Sequence, residues 1–481
     1  MKNLHLYICF VVLGVLQFSC DKMLSEPPAN ARVDGTAITD QKSAQIVLNG
    51  AYYRFANVGN VGSTTTNITR WSDLSIAGGL LSGAFTYGTY EGADQLNNNA
   101  NTRHLRSVWG YCYTLINQTN GVIKGVEMLD DSKFTTNRKN EIIAEARFLR
   151  AFGHFKALMY YGEWFKSDSE YGVVLRDQLS TLSSAHKKRS TVAESYAAIL
   201  DDLNFAIANA PASNPNHYAS KWAAMLLKMR VLMCQAKVED YPTVIAMADD
   251  IIQNSGFVLE SNLKELFHTK GLASAEVLLG IKPQLGQEGS YNIYSRTFYP
   301  GASDINMATQ VLRDLFDGDP RQSWMIGPAN DLSTPVAGSY YYSKFIPYGG
   351  TTSQLTETVY VMRLSEVYLL KAEAIIRSGG DLEEARAQIR TVMSKGGVTD
   401  FSKVNTATTP EALLVQNYFE VLRNLAGEDG VEWMTLIRLP FETVKLLKPT
   451  ITSQVQFYFP VPQSEFESNP LFGKQNPGYG A

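Results

Sequence analysis

The sequence is poor in histidine, with six among 481 residues, at positions 5, 104, 154, 186, 217 and 268. No two stand at His-x-x-x-His spacing and none adjoins a glutamate, which excludes a helix-borne zinc site of the metalloprotease kind. A Gly-x-Ser-x-Gly elbow, a P-loop and a dinucleotide fingerprint are missing as well. Asp317-Gly318-Asp319 resembles the start of a calcium loop, but the spaced oxygen ligands that should follow are absent. No metal or cofactor is therefore expected. Paired glycosidase carboxylates stay open, because any two of the 47 acidic residues can meet in space.

Charge is scarce too. Charged residues are 19% of the chain, the formal net charge is −4, and Lys187-Lys188-Arg189 is the only basic run. Nucleic acid binding needs clustered cations, so that partner class is disfavoured; the run reads as a solvated loop before a helix. Cysteine is limited to four residues. Cys112 and Cys234 fall in helical patterns without metal-ligand neighbours and read as small buried hydrophobes. No apolar run reaches the ~20 residues that span a bilayer.

What is present begins with an export signal. Lys2 precedes the apolar run Leu6–Leu16, and Ser19-Cys20 closes it with a small residue and a cysteine, as in a bacterial lipoprotein processing site. The usual Leu three residues before the cysteine is Gln17 here, with Leu16 one place back, so a plain secretory signal with an incidental cysteine is the alternative. Residues 1–19 are read as signal peptide and 20–40 as a tether lipidated at Cys20, which two or more acyl chains would hold to a membrane.

Hydrophobic residues make up 45% of the chain, enough for a large core. Helical spacing runs through 41–56 and 102–255, with Leu105, Trp109, Cys112 and Ile116 on one stripe and Phe148, Phe152, Phe155 and Met159 on the next. Thr191 with Glu194 forms a capping box, and Asp240 with Pro242 opens a further helix. Periodicity resumes at 360–396, where Tyr360, Leu364, Val367 and Leu370 form a stripe and Arg363, Glu366, Glu373 and Arg377 a polar face. Two loop-rich stretches, about 57–101 and 256–350, interrupt the helices; within the second only Thr309–Phe316 reads as helical. Short connections and helices apolar on two sides predict a mainly α fold of irregular stacked tetratricopeptide-like helix pairs, with a loop-rich, partly β insertion on the binding side. Residues 397–481 form a C-terminal region.

Several segments resemble one family. They are Ile46-Val-Leu-Asn-Gly-Ala-Tyr-Tyr53, Trp109-Gly-Tyr-Cys-Tyr-Thr-Leu-Ile-Asn-Gln-Thr-Asn120, and Glu145-Ala-Arg-Phe-Leu-Arg-Ala-Phe-Gly-His-Phe155 running to Tyr161-Gly162. Gly318-Asp319-Pro320-Arg321, Arg363-Leu-Ser-Glu-Val-Tyr-Leu-Leu-Lys-Ala-Glu-Ala374 and the closing Phe459-Pro-Val-Pro462 with Asn469-Pro470 and Gln475-Asn-Pro-Gly-Tyr479 complete the set. Together they resemble the SusD/RagB family of outer-membrane nutrient-binding lipoproteins over more than 400 residues. One stretch departs from the pattern. Between Glu420 and Arg438, Val421, Asn424, Glu432 and Thr435 stand where charges are usual, and Asp429 looks inserted. Salt bridges there are expected to be exposed and worth little.

The resemblance implies a non-enzymatic, lipid-anchored protein on the cell surface. It would bind nutrient oligosaccharide and hand it to a SusC-like TonB-dependent transporter in the outer membrane. Peptide capture by the same scaffold, or a surface glycan hydrolase, are the alternatives. Sugars present apolar C–H faces edged by hydroxyls, so a site needs flat rings flanked by polar groups. Two regions offer them: 63–101, with Trp71, Asp73, Tyr87 and Tyr90, and 286–345, with Tyr291, Tyr294, Trp324 and the triplet Tyr340-Tyr341-Tyr342, of which Tyr341 is the chosen candidate. In the resembling family the stacking rings come from loops in these two places.

Overall fold

A computed structural model describes residues 37–56, 71–87, 103–282, 298, 306–328, 340–347, 355 and 358–480. Its frame is helical. Helix α1 (Gln41–Ala56) packs on α3 (Arg103–Glu127) and α4 (Arg138–Tyr161), and the chain continues through α5 (Val192–Asn209), α6 (Lys221–Gln235) and α7 (Tyr241–Asn254). Each of these packs on its sequence neighbour, and α7 then meets α10 (Leu364–Arg377), which carries α11 (Leu382–Lys395) and α12 (Pro410–Leu425). α4 explains why stacking works: from Ile142 to Tyr161 all but one of its residues are buried, so it has neighbours all round. The Thr191–Glu194 capping box forms as its spacing predicts, and the mainly α, stacked-pair fold is the one observed.

Two segments differ from their sequence reading. Residues 360–363 carry a helical stripe yet lie in strand β6 (Val359–Arg363), antiparallel to β2 (Val277–Ile281) and buried at every position. Val359–Met362 is a short apolar run with no periodicity to distinguish the two states, and Val, Tyr and Val suit a buried strand. In the loop-rich stretch 57–101, α2 (Trp71–Ser82) and β1 (Phe85–Tyr87) appear. A β-carbon on Gly78 would stand 2.4 Å from Gly430 Cα, and one on Gly79 would stand 2.1 Å from the Phe85 ring. The Gly pair that reads as a loop is the condition for α2 to touch the backbone before α13 (Val431–Leu436).

The frame closes around buried ions. Arg230 on α6 donates through Nε to Glu366 (2.6 Å) and through Nη1 to Asp429 (2.6 Å). Lys156 on α4 reaches the other Asp429 carboxylate oxygen at 2.8 Å and the Asp429 carbonyl at 2.8 Å. Arg363 bonds Glu428, Glu276 and the Asn424 carbonyl. Glu420 holds Arg321, and Glu373 holds Arg377 and Arg438. All these carboxylates are buried, which corrects the expectation of weak, exposed bridges in 420–438. The polar face read from the sequence likewise points inward, at Arg363 at the end of β6 and at Glu366 and Glu373 on α10. Burial alone would raise the Glu373 carboxyl, but Arg438 and Arg377 hold it at about 2.

Asp429 itself sits at φ +52°, the left-handed region that Asp tolerates better than most residues. It is the shared counter-ion of two buried cations from two helices. Asp429→Ala leaves both without it, and breaking such a pair costs about 3–5 kcal/mol. Chemical denaturation should register that loss, whereas Lys445→Ala, which removes an exposed bridge to Glu442, should shift stability by less than about 1 kcal/mol.

Candidate ligand-binding site

The two aromatic stretches expected to meet a ligand are joined by one sheet. Strands β3 (Asn306–Ala308), β4 (Ile326–Pro328) and β5 (Tyr340–Tyr342) combine with β1 in the antiparallel order β1-β3-β5-β4. Phe85 faces Ala308 and Tyr87 faces Asn306 across the first pair, while Met307 and Gly327 flank Tyr341 from either side. Thr309 strengthens the junction: its backbone N–H donates to the Ala84 carbonyl at 3.1 Å and its hydroxyl to the Gly83 carbonyl at 2.7 Å. The same hydroxyl caps the short helix α8 (Gln310–Leu315), the one helix the sequence marks in this stretch.

Packing fixes the sheet to the frame. Phe85 lies 4.9 Å from Tyr342 and 5.4 Å from Phe298 between ring centroids, and Phe298 lies 5.1 Å from Phe345. Below them, Lys344 pairs with Glu428 and donates to the carbonyls of Asn424 (2.9 Å) and Ala426 (3.1 Å). Its ammonium stands 4.8 Å from the Phe267 ring centre. Burial pulls Lys344 down to about 8, with Glu428 opposing that shift.

The candidate residues fall in different places. Trp71 opens α2 and Asp73 sits in its first turn; Tyr87 ends β1. Trp324, on the single-turn helix α9 (Gln322–Met325), is half-buried, 5.3 Å edge-on from the His268 ring and 6.3 Å from Phe267. His268 Nε2 lies 3.2 and 3.1 Å from the carbonyls of Ser343 and Lys344, which can only accept, so this nitrogen carries the proton. Burial lowers the His268 pKa, keeping the imidazole neutral and Trp324 backed by a fixed ring.

Tyr341 needs correction. It is 0% exposed, so its ring offers no face to a ligand. An isolated extended triplet would alternate faces, but β5 is an inner strand with cover on both sides, and Tyr341 and Tyr342 are both interior. The ring that faces out is Tyr340, 36% exposed, with the Arg313 guanidinium 4.2 Å from its centre. Only the inner placement of β5, a non-local fact, distinguishes Tyr340 from its neighbours. Tyr90, Tyr291, Tyr294 and the lipidation candidate Cys20 lie outside the described residues.

Other candidates resolve plainly. His154 is buried, accepts the Arg176 backbone N–H at 3.1 Å, and is lowered to about 3 by burial, with Arg150 adding to the shift. Cys112 and Cys234 are buried free thiols. Asp319, read as a possible calcium ligand, spends its carboxylate on Arg321 (2.9 and 2.7 Å). Arg189, read as part of a solvated run, stacks over Tyr171 and Phe472 and donates to the Tyr161 and Gly172 carbonyls. A cleft of ≈ 380 Å³ between Asp317–Pro320 and Gly397–Lys403 contains none of the aromatic candidates. Among the described residues no helix is long and apolar enough to cross a membrane.

With this geometry, the comparisons with known proteins agree on one family. One of its models, described as "Starch-binding associating with outer membrane", matches residues 47–233, and a second, described as "SusD family", matches 328–440. The chain belongs to the SusD/RagB family. It is similar to a SusD-like protein of Bacteroides ovatus, 22% identical over 76% of this chain and 71% of the relative. A SusD superfamily structure from Bacteroides thetaiotaomicron covers 91% of this chain and 100% of its own at 23% identity, with a TM-score of 0.75. A laminarin-binding SusD-like protein covers 92% and 100% at 20% identity, with a TM-score of 0.71. These structural likenesses establish the fold.

One buried acid beneath the sheet yields a pH test. Glu432 on α13 accepts the Gly427 N–H at 3.1 Å through one oxygen, while the other has no hydrogen-bond partner among the described residues. Burial pushes its carboxyl up to about 8. The unfolded chain releases this proton near 4.5, so from there to about 8 the folded state holds the extra proton and stability falls as pH rises. Glu432→Gln removes that slope. Its stability relative to wild type should grow by on the order of a few kcal/mol between pH 4.5 and 8; a difference that stays constant with pH would contradict a raised Glu432.

Proposed function

We propose that the protein captures carbohydrate at the cell surface and passes it to a TonB-dependent transporter in the outer membrane, without catalysis. The observation that carries this reading is the sheet that joins both aromatic stretches on a helical frame of the SusD/RagB family. The family description "Starch-binding associating with outer membrane" and the likeness to a laminarin-binding protein support a glycan as ligand. Sugar C–H faces stack on half-exposed rings such as Trp324, and Trp71 opens the helix that leads to the same sheet. Acylation of Cys20 would hold the domain at the membrane, within reach of a transporter.

Titration against a panel of soluble glycans and peptides tests the ligand class. Binding to at least one glycan, and to no peptide more tightly, is expected. Trp324→Ala or Trp71→Ala should weaken it about tenfold or more, roughly 1.4 kcal/mol. Unchanged affinity in both variants would remove these rings from the site. New reducing ends at catalytic protein concentrations would overturn the non-enzymatic reading.

A further inference from the structure

The outward end of β5 carries a feature that neutral-sugar stacking does not use. Arg313, on the last turn of α8, stands over Tyr340 at 4.2 Å from the ring centre. Its position follows from the chain path: β3 leads through the Thr309 cap directly into α8, so α8 begins beside the neighbouring strand β5. Arg313 donates to the Gln310 side-chain oxygen and, at 3.5 Å, to the Ala308 carbonyl, both neutral acceptors. The Gln310 amide in turn donates to the Asp314 carboxylate, which thus has a neutral partner. Among the described residues no carboxylate lies within ion-pair distance of Arg313. The buried arginines Arg230, Arg321, Arg363 and Arg438 each hold at least one.

A guanidinium stacked on an aromatic ring keeps its donors in the ring-parallel plane, pointing outward at its edges. That arrangement suits a planar carboxylate, which accepts two parallel N–H bonds. Beside it, an exposed tyrosine offers apolar surface and a hydroxyl. We infer that Arg313 and Tyr340 form a subsite for the carboxylate of a uronic acid residue, which makes the protein a receptor for acidic glycans. This inference rests on the glycan-binding reading above and deepens it.

The test compares oligogalacturonate, alginate oligosaccharide and glucuronoxylan oligosaccharide with their carboxyl-reduced forms and with neutral glucan, by titration calorimetry on the intact soluble domain. At least one acidic probe should bind tenfold or more tightly than its reduced form, with an affinity that falls as salt rises. Arg313→Gln should remove that preference and leave the reduced form's affinity within twofold, while Arg313→Lys should restore only part of it. Tyr340→Ala should weaken both forms. Binding of neutral or reduced probes with no acidic preference, or a preference that survives Arg313→Gln, overturns this inference alone. Binding of no glycan at all overturns the glycan reading with it.

Discussion

The structure depends on a pair of consecutive acids, Glu428 and Asp429, held in the interior at the turn between α12 and α13. Four cations converge on them: Lys156 from α4, Arg230 from α6, Lys344 from the segment after β5 and Arg363 from the end of β6. Lys156 and Asp429 are separated by 273 residues along the chain. Burying so many charges yields little net stability, because desolvation consumes much of the Coulombic gain. Its effect is constraint. Separating Lys156 from Asp429, or Lys344 from Glu428, leaves a buried charge without its counter-ion, which ties α4 and the segment after β5 to this turn.

That constraint reaches the candidate site through Lys344. The lysine binds Glu428 and two carbonyls of the α12–α13 connection, and its own carbonyl accepts from His268, against which Trp324 packs. Two residues before Lys344, Tyr342 packs on Phe85 and thereby on β1. The aromatic surface is thus built on the buried ions, with its ring positions set by groups that no ligand touches. Positioning of this kind suits a receptor: rigid rings lose little entropy on binding.

Much of the frame was legible in the sequence because its causes are local. Phe148, Phe152, Phe155 and Met159 announce α4 by spacing, and Thr191 with Glu194 announces a helix start by hydrogen-bond chemistry. What stayed hidden depends on partners far along the chain. Val359–Arg363 is a strand because Val277–Ile281 lies beside it. Gly78 and Gly79 permit a helix because Gly430 and Phe85 press on them. Arg363, Glu366 and Glu373 resemble a solvated face until their counter-ions arrive from α6 and the 424–438 segment. For the site, the two regions were legible from composition, while the choice between Tyr340 and Tyr341 needed the strand order.

The most direct measurement is a crystal structure of the protein with its best-binding oligosaccharide. Sugar rings are expected against Trp324 or Tyr340, with the helical frame and the Glu428–Asp429 ion cluster unchanged. Sugar held only in the cleft between Asp317–Pro320 and Gly397–Lys403, or on the outer face of α1, would contradict a binding surface organised by the four-stranded sheet.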